Sequence, residues 1–171
     1  MMAVAHTELS STLEDYLRAV YRIESKKRVA RPRDICELQG VAASTVTAAL
    51  RSLADKGLIN YEPYEVITLS EAGRTRAERL VARHRIIRDF LEGILGFELE
   101  RSDAIACGME HAIDEDGLQR LVCFLAFMKQ HSEEGRRCLA HFREFVRGKQ
   151  GQQSCEQCVR EYMEKAEEAD K

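Results

Sequence analysis

Apolar positions along the chain recur at two spacings. Leu13, Leu17, Val20 and Tyr21 fall at helical intervals, and Ser11 with Glu14 three residues on has the spacing of a capping box. A first helix is therefore predicted from Ser11 to about Ser25. Arg31-Pro32-Arg33 follows, with a proline suited to a helix start, then a short helical stretch from Asp34 to Leu38 and Gly40 as a turn. Ser44 to Lys56 places Val46, Ala49, Leu50 and Leu53 on one face and stops at Gly57. Two helices around a glycine turn form a helix-turn-helix pattern. The period then changes. Leu58 to Tyr61 and Val66 to Leu69 are short β-branched or aromatic runs around Glu62-Pro63-Tyr64-Glu65, the signature of a hairpin, so a winged helix is expected.

Ser70 can cap a long helix from Glu71 to about Leu91, with Leu80, Val81, Ile87 and Leu91 on its apolar stripe. At ~1.5 Å per residue it is roughly 30 Å long, enough to carry the chain from one domain into another. Beyond Gly96, helices are expected at about Arg101 to Ile113, Gly117 to Gln130, Glu133 to Val146 and Ser154 to Glu168. The expected fold is mostly α: an N-terminal winged helix-turn-helix domain, residues 1–75, is joined by a long helix to an all-helical domain, residues 76–147. A C-terminal helix follows in residues 148–171.

Composition narrows the function classes. The 171 residues are 44% hydrophobic and 32% charged, which excludes a disordered tail. The longest apolar run, Leu121 to Met128, falls far short of the ~20 residues needed to cross a bilayer, so no membrane partner is expected. Residues 1–9 lack a basic segment followed by an apolar one, which points to the cytoplasm. There the six cysteines serve as metal ligands, reactive groups or buried apolar residues rather than as disulfides. Charge is unevenly placed: residues 1–25 carry −2, residues 26–88 carry +6 and residues 89–171 carry −7. A basic block joined to an acidic one suggests that the first meets an anion, with nucleic acid the first candidate.

Within the basic block, Ser44, Thr45, Thr47, Ala48 and Arg51 point away from the apolar face of the second helix of the pair. Small polar residues with one arginine suit a helix lying close in a major groove of double-stranded DNA. Arg51 would read a guanine or hold a phosphate. Arg28, Arg31, Arg33 and Lys56 read as phosphate contacts or as solvated surface charge.

The acidic block holds Asp103-Ala-Ile-Ala-Cys107-Gly-Met-Glu110-His111. At ~100° per residue, Asp103, Cys107, Glu110 and His111 fall within a wedge of one helix, opposite Ile105, Met109, Ala112 and Ile113. This is either a solvated polar face or part of a divalent metal site that needs ligands from elsewhere, since one straight helix cannot surround an ion. His84 is the outside candidate, although its place in an apolar stripe equally suits a core histidine.

The order of winged helix, long helix with Arg83-His84, and Ala106-Cys107-x-x-Glu110-His111 resembles the diphtheria-toxin-repressor family of metal-dependent transcription regulators, including its shorter manganese-transport-regulator branch. The resemblance runs from about Ser11 to Gln130. It implies a homodimeric repressor whose second domain binds metal and dimerises, with a further ligand on the first helix at Asp15-Tyr16. On periodicity alone Asp15 would pass as a solvated carboxylate. The resemblance implies a main site of Asp15, Cys107, Glu110 and His111, with His84 and Asp103 at positions that serve a second ion. The chain departs from the family in having Arg18 and Arg88 where carboxylates are expected one turn after Asp15 and His84, which argues against a second ion. Asp15 resembles the manganese branch and Cys107 the iron branch, leaving Fe²⁺ or Mn²⁺ open. On softness a thiolate favours Fe²⁺, Co²⁺ or Zn²⁺. Dimer contacts are expected from Cys107 to Ile113 and from the stripe of Leu118, Leu121, Val122 and Leu125.

Separately, Cys138-x-x-His141 and Cys155-x-x-Cys158 have spacings that suit a structural Zn²⁺ stapling the last two helices, or else are partly buried cysteines. Cys36 and Cys123 sit in apolar patterns and are expected in the core. Two rival functions are a winged-helix regulator using Cys107 as a redox or small-molecule sensor, and a metal hydrolase with Glu110 as base. No His-Glu-x-x-His motif supports the hydrolase, and no enzymatic activity is expected.

Overall fold

The computed structural model describes residues 9–62, 66–131, 133–149 and 155–169. Its elements are α1 (Ser11–Lys27), α2 (Pro32–Gln39), α3 (Ala43–Asp55), β1 (Ile59–Asn60), β2 (Thr68–Leu69), α4 (Glu71–Gly93), α5 (Leu99–Met109), α6 (Glu115–Ala126), α7 (Glu133–Lys149) and α8 (Cys155–Ala169). A π-helical turn, Phe127–His131, separates α6 from α7. The chain divides into two compact units, one of residues Met1–Ile87 with Ala106–Ile113, the other of Arg88–Ile105 with Asp114–Lys171.

In the first unit α1, α2 and α3 pack on one another around Leu17, Val20, Ile35, Val46, Leu50 and Leu53, all fully buried. Ser10, rather than Ser11, caps α1, its side chain accepting from Leu13 N at 3.4 Å. The helix also runs past Ser25 to Lys27. It ends at Arg28 in the left-handed region (φ 68°), whose N–H bonds back to Glu24 O at 2.7 Å. Pro32 opens α2, as its fixed φ and missing N–H favour, and Gly40 closes it with φ 67°.

The wing is smaller than the runs Leu58 to Tyr61 and Val66 to Leu69 suggested. β1 and β2 are two residues each, pairing Ile59 with Leu69 and Asn60 with Thr68 in antiparallel register. The predicted turn residues Pro63, Tyr64 and Glu65 lie outside the described residues. Ile67 adds a second attachment by exchanging backbone bonds with Ala30, at 2.8 and 2.9 Å. Glu24, buried on α1, fixes the end of the wing: it accepts from Leu69 N at 3.1 Å and from Arg74 Nη2 at 2.6 Å. A charged acceptor is tolerated inside because both of its oxygens are engaged.

The start of α4 is locked to the loop before β1. Ser70 Oγ accepts from Gly73 N at 3.0 Å and donates to Gly57 O at 2.7 Å, while Ser70 N donates to Leu58 O. Gly73 is buried against that same Leu58 carbonyl, and a Cβ there would overlap the oxygen.

The second unit is thinner. Its buried cluster is Ile94, Met128 and Leu139, with Phe90, Leu95 and Leu125 packed against it. Phe90 and Phe124 meet edge to face, 6.3 Å between centroids. The last carbonyls of α4 take cationic donors, Asp89 O from Lys129 Nζ at 3.3 Å and Gly93 O from Arg143. Asp114 caps α6 through Gly117 N at 2.8 Å, yet α6 buries no residue. Val122 and Phe124 are exposed, as are Phe142 on α7 and Val159, Tyr162 and Met163 on α8. Cys123 is exposed as well, contrary to its expected core position, because α6 meets the second unit's core through Phe124 and Leu125 while Cys123 lies outside that contact. Cys36 is half-buried against the core of the first unit.

Gly73→Ala should destabilise the first unit by about 1–3 kcal/mol or more, since the new methyl meets backbone that cannot rotate away. Urea unfolding of the variant beside Gly57→Ala would check this. Strain at a positive φ, without any clash, limits the Gly57 effect to roughly 1 kcal/mol.

Candidate metal centre and nucleic-acid interface

The first unit brings three potential ligands together. One oxygen each of Asp15 and Glu110 and the sulfur of Cys107 all lie within 4.8 Å of one another. Asp15 comes from the second turn of α1, on the side facing away from Leu17 and Val20. Cys107 lies in the last turn of α5, and Glu110 follows it directly. The wedge read from the sequence is altered here: α5 ends at Met109, with Ala112 N and Ile113 N both returning to Met109 O at 3.0 and 3.1 Å. Glu110 and His111 therefore sit in a tightened turn rather than on a helix running to Ile113.

Glu110 is the most buried of the set, with its side chain 5% exposed. His84 Nδ1 is 2.9 Å from Oε2, and Arg18 Nη1 is 2.7 Å from Oε1 and 2.8 Å from Oε2. Arg83 Nη1 donates to the Glu110 carbonyl at 3.2 Å. Burial pushes the Glu110 carboxyl up, but the His84 hydrogen bond and the Arg18 charge outweigh it and hold the group below the usual carboxylate range. His84 is thus a largely buried histidine paired with Glu110, at the group as the metal reading expects and satisfied as a core histidine would be. Burial, then the charges of Asp15 and Glu110, push the Cys107 thiol up, partly offset by Arg18.

His111 flanks the group without joining its tight core: Nδ1 is 3.5 Å from Glu14 Oε2 and Nε2 is 3.5 Å from Glu110 Oε1. Asp103 is not brought to the cluster. It belongs to the second unit, where Arg88 Nη1 stands 3.6 Å from its carboxylate. Nor do Cys138, His141 and Cys158 converge: all three are exposed, and the one group of three or more potential ligands among the described residues is Asp15, Cys107 and Glu110. Cys138 and His141 are exposed on α7 and Cys158 on α8, and the Cys155 side chain lies outside the described residues.

From the sequence Arg18 stands only where a carboxylate is expected and Glu14 only as a capping residue; the contacts they make in the cluster come from the fold. Arg18 contacts Asp15 as well as Glu110 and comes within 3.3 Å of His84 Nδ1. Glu14 takes Arg76 Nη2 at 3.0 Å, which orients it toward His111. The spacing of Arg18, three and four residues after Asp15 and Glu14, was the available signal.

On α3 the buried face is Val46, Ala49, Leu50 and Leu53, which leaves Ser44, Thr45, Ala48 and Arg51 exposed and Thr47 half-buried, its hydroxyl bonded to Ala43 O at 2.9 Å. Arg28, Arg31, Arg33 and Lys56 are exposed in the same unit, Arg33 pairing with Glu37 at 3.0 Å. An exposed small-residue helix face in a unit that also exposes cations meets the steric and charge demands of a major groove.

Two domains of one known family match the chain in order. The N-terminal DNA-binding domain of the iron-dependent repressors matches residues 8–67, and their metal-binding and dimerisation domain matches residues 70–138. The chain is 34% identical over 122 residues to an HTH-type transcriptional regulator of Methanocaldococcus jannaschii, covering 71% of this chain and 98% of that protein. It is 30% identical over 122 residues to the HTH-type transcriptional regulator MntR of Lysinibacillus sphaericus, covering 71% and 87%. A solved manganese-dependent transcriptional repressor, in complex with manganese, superposes with a TM-score of 0.62 at 29% identity, over 67% of this chain and 53% of that one. The chain thus spans about half the length of that solved protein. It belongs to the iron-dependent repressor family, whose members are DNA-binding transcriptional regulators and not enzymes. Among the described residues no helix is long and apolar enough to cross a membrane.

DNA affinity should fall steeply with salt, and Arg51→Ala should weaken it about 10-fold. A phosphate role for Arg51 lowers the salt slope by ~0.9, whereas a guanine role relaxes sequence preference. Fluorescence anisotropy across a salt series distinguishes the two, and salt-independent binding would contradict the assignment of this surface.

Proposed function

We propose that the chain is a homodimeric repressor that binds a double-stranded operator when a divalent transition metal is held by Asp15, Cys107 and Glu110, with His111 and His84 in support. The metal is Fe²⁺ or Mn²⁺ in the cell, with Zn²⁺ or Co²⁺ effective in vitro. The regulator acts in the cytoplasm on genes for metal-ion uptake. One observation carries this: a carboxylate, a thiol and a second carboxylate converge within 4.8 Å in the same unit that presents the exposed face of α3. The names of an MntR relative and of a manganese-bound repressor structure support it.

The donor set fits such an ion. Two hard carboxylates, a soft thiolate and neighbouring imidazoles accommodate first-row divalent metals better than Mg²⁺ or Ca²⁺. When bound, the ion supplies a positive centre that ligands from α1 and α5 share. Asp15 carries the consequence for DNA, because the opposite face of its helix packs on α2 and α3. Cys107 and Glu110 lie at the end of a helix whose earlier residues belong to the second unit. Joining Asp15 to them ties the DNA-reading helices to the chain segment that leads to α6, where Leu118, Leu121, Val122 and Leu125 offer a dimer stripe. In a two-fold dimer that tie selects the spacing of two recognition helices from a wider set. We keep 1–75, 76–147 and 148–171 as the functional division of the chain. A metal-free redox role for Cys107 is disfavoured, since its sulfur converges with two carboxylate oxygens within 4.8 Å, a ligand set rather than an isolated sensor thiol.

Anaerobic titration of operator binding with Mn²⁺, Fe²⁺, Co²⁺ and Zn²⁺ tests the proposal. Asp15→Ala should leave a folded dimer that binds some metal yet gains little DNA affinity, while His111→Ala loses both. The wild-type response should be about 5- to 150-fold, a coupling of ~1–3 kcal/mol. Equal operator affinity in chelator and in saturating amounts of each ion would refute the mechanism.

A further inference from the structure

A cation already stands among the proposed ligands. Arg18, 14% exposed at its side chain, places Nη1 at 2.7 and 2.8 Å from the two oxygens of Glu110 and Nη2 against Asp15 Oδ1, with His84 Nδ1 3.3 Å from Nη1. Both Glu110 oxygens are therefore engaged by the guanidinium, and Oε2 also meets His84. The same arginine offsets the charges that bear on Cys107. Every member of the three-ligand group is within the influence of one side chain.

Charge balance gives this a consequence. With Cys107 as thiolate the three ligands carry three negative charges, which Arg18 and one divalent ion neutralise. A second divalent ion would leave two positive charges uncompensated in a partly buried place, where unpaired charge is strongly disfavoured. Nearby groups do not restore the balance: Glu14 is paired with Arg76, and Arg83 adds a further cation at the Glu110 carbonyl.

We propose that Arg18 is a resident cation of the metal centre: it balances Asp15 and Glu110 before metal arrives, limits the site to one ion, and weakens that ion's hold by competing for the same carboxylate oxygens. The inference rests on the metal-site reading above and goes beyond it by assigning the site's stoichiometry and affinity to a residue that is not a ligand. It sets the metal concentration at which the regulator responds. A structural ion pair alone has the opposite signature, since its removal would loosen the ligands and weaken binding.

The test uses the full chain and Mn²⁺, which exposed thiols elsewhere hold poorly, with affinity and stoichiometry read by chelator competition and melting temperature read without metal. Wild type should take one Mn²⁺ per chain. Arg18→Met should melt lower without metal yet bind Mn²⁺ at least about tenfold more tightly, and Arg18→Lys should return affinity to near the wild-type value. If Arg18→Met does not fold, Arg18→Gln supplies the same comparison. Unchanged or weaker binding in the neutral variant, or two ions per wild-type chain, would overturn the role of Arg18 alone. Absence of Mn²⁺ binding in every variant, with operator affinity unaffected by chelator, would instead overturn the metal-site reading itself.

Discussion

The Glu110 carboxylate is the knot of the first unit. It is nearly buried, and it stays charged because His84 on α4 and Arg18 on α1 both reach it. An ionised carboxylate away from water is strongly unfavourable unless paired, so each partner is required by the others' presence. This cluster holds Ala106–Ile113 in the unit that carries the winged helix, although those residues are distant from it in sequence. Cys107 and His111 are placed at the same spot by chain continuity. The site is a by-product of a structural necessity as much as a dedicated pocket.

Much of this could be read from residue order. The helix-turn-helix, the wing and the long helix follow from local periodicity and capping chemistry, which act over a few residues and do not need the tertiary fold. Their ends moved by one to three residues, as at Ser10 and Lys27, because a cap depends on which hydroxyl reaches a free N–H. Asp15, Cys107 and Glu110 were each named as candidate ligands, but Asp15 entered only through family resemblance: a half-buried carboxylate on α1 gives no local sign of a partner 92 residues away.

The errors share one cause, an assumption that spacing fixes direction. Asp103 keeps helical phase with Cys107 yet stands beside Arg88 in the second unit, and the helix meant to align Glu110 and His111 ends before them. Cys123 sits in an apolar run but faces outward, since periodicity reports which residues share a face and not what covers it. Arg18 was legible as a departure from a family pattern and, by its spacing, as a partner of Asp15. That it pairs with Glu110 is a tertiary fact, invisible to any local window. The uncovered apolar residues of α6 have a natural occupant in a second copy, given the dimerisation domain to which the region belongs.

The account turns on whether the ion sits where α1 meets Cys107 and Glu110. X-ray absorption at the zinc edge, on protein loaded with one equivalent of Zn²⁺, reports the number of sulfur neighbours directly. The account predicts one sulfur at about 2.3 Å with oxygen and nitrogen at ~2.0–2.2 Å, and loss of that sulfur in Cys107→Ser. A shell with no sulfur, or with the three sulfurs that Cys138, Cys155 and Cys158 would supply, would contradict it.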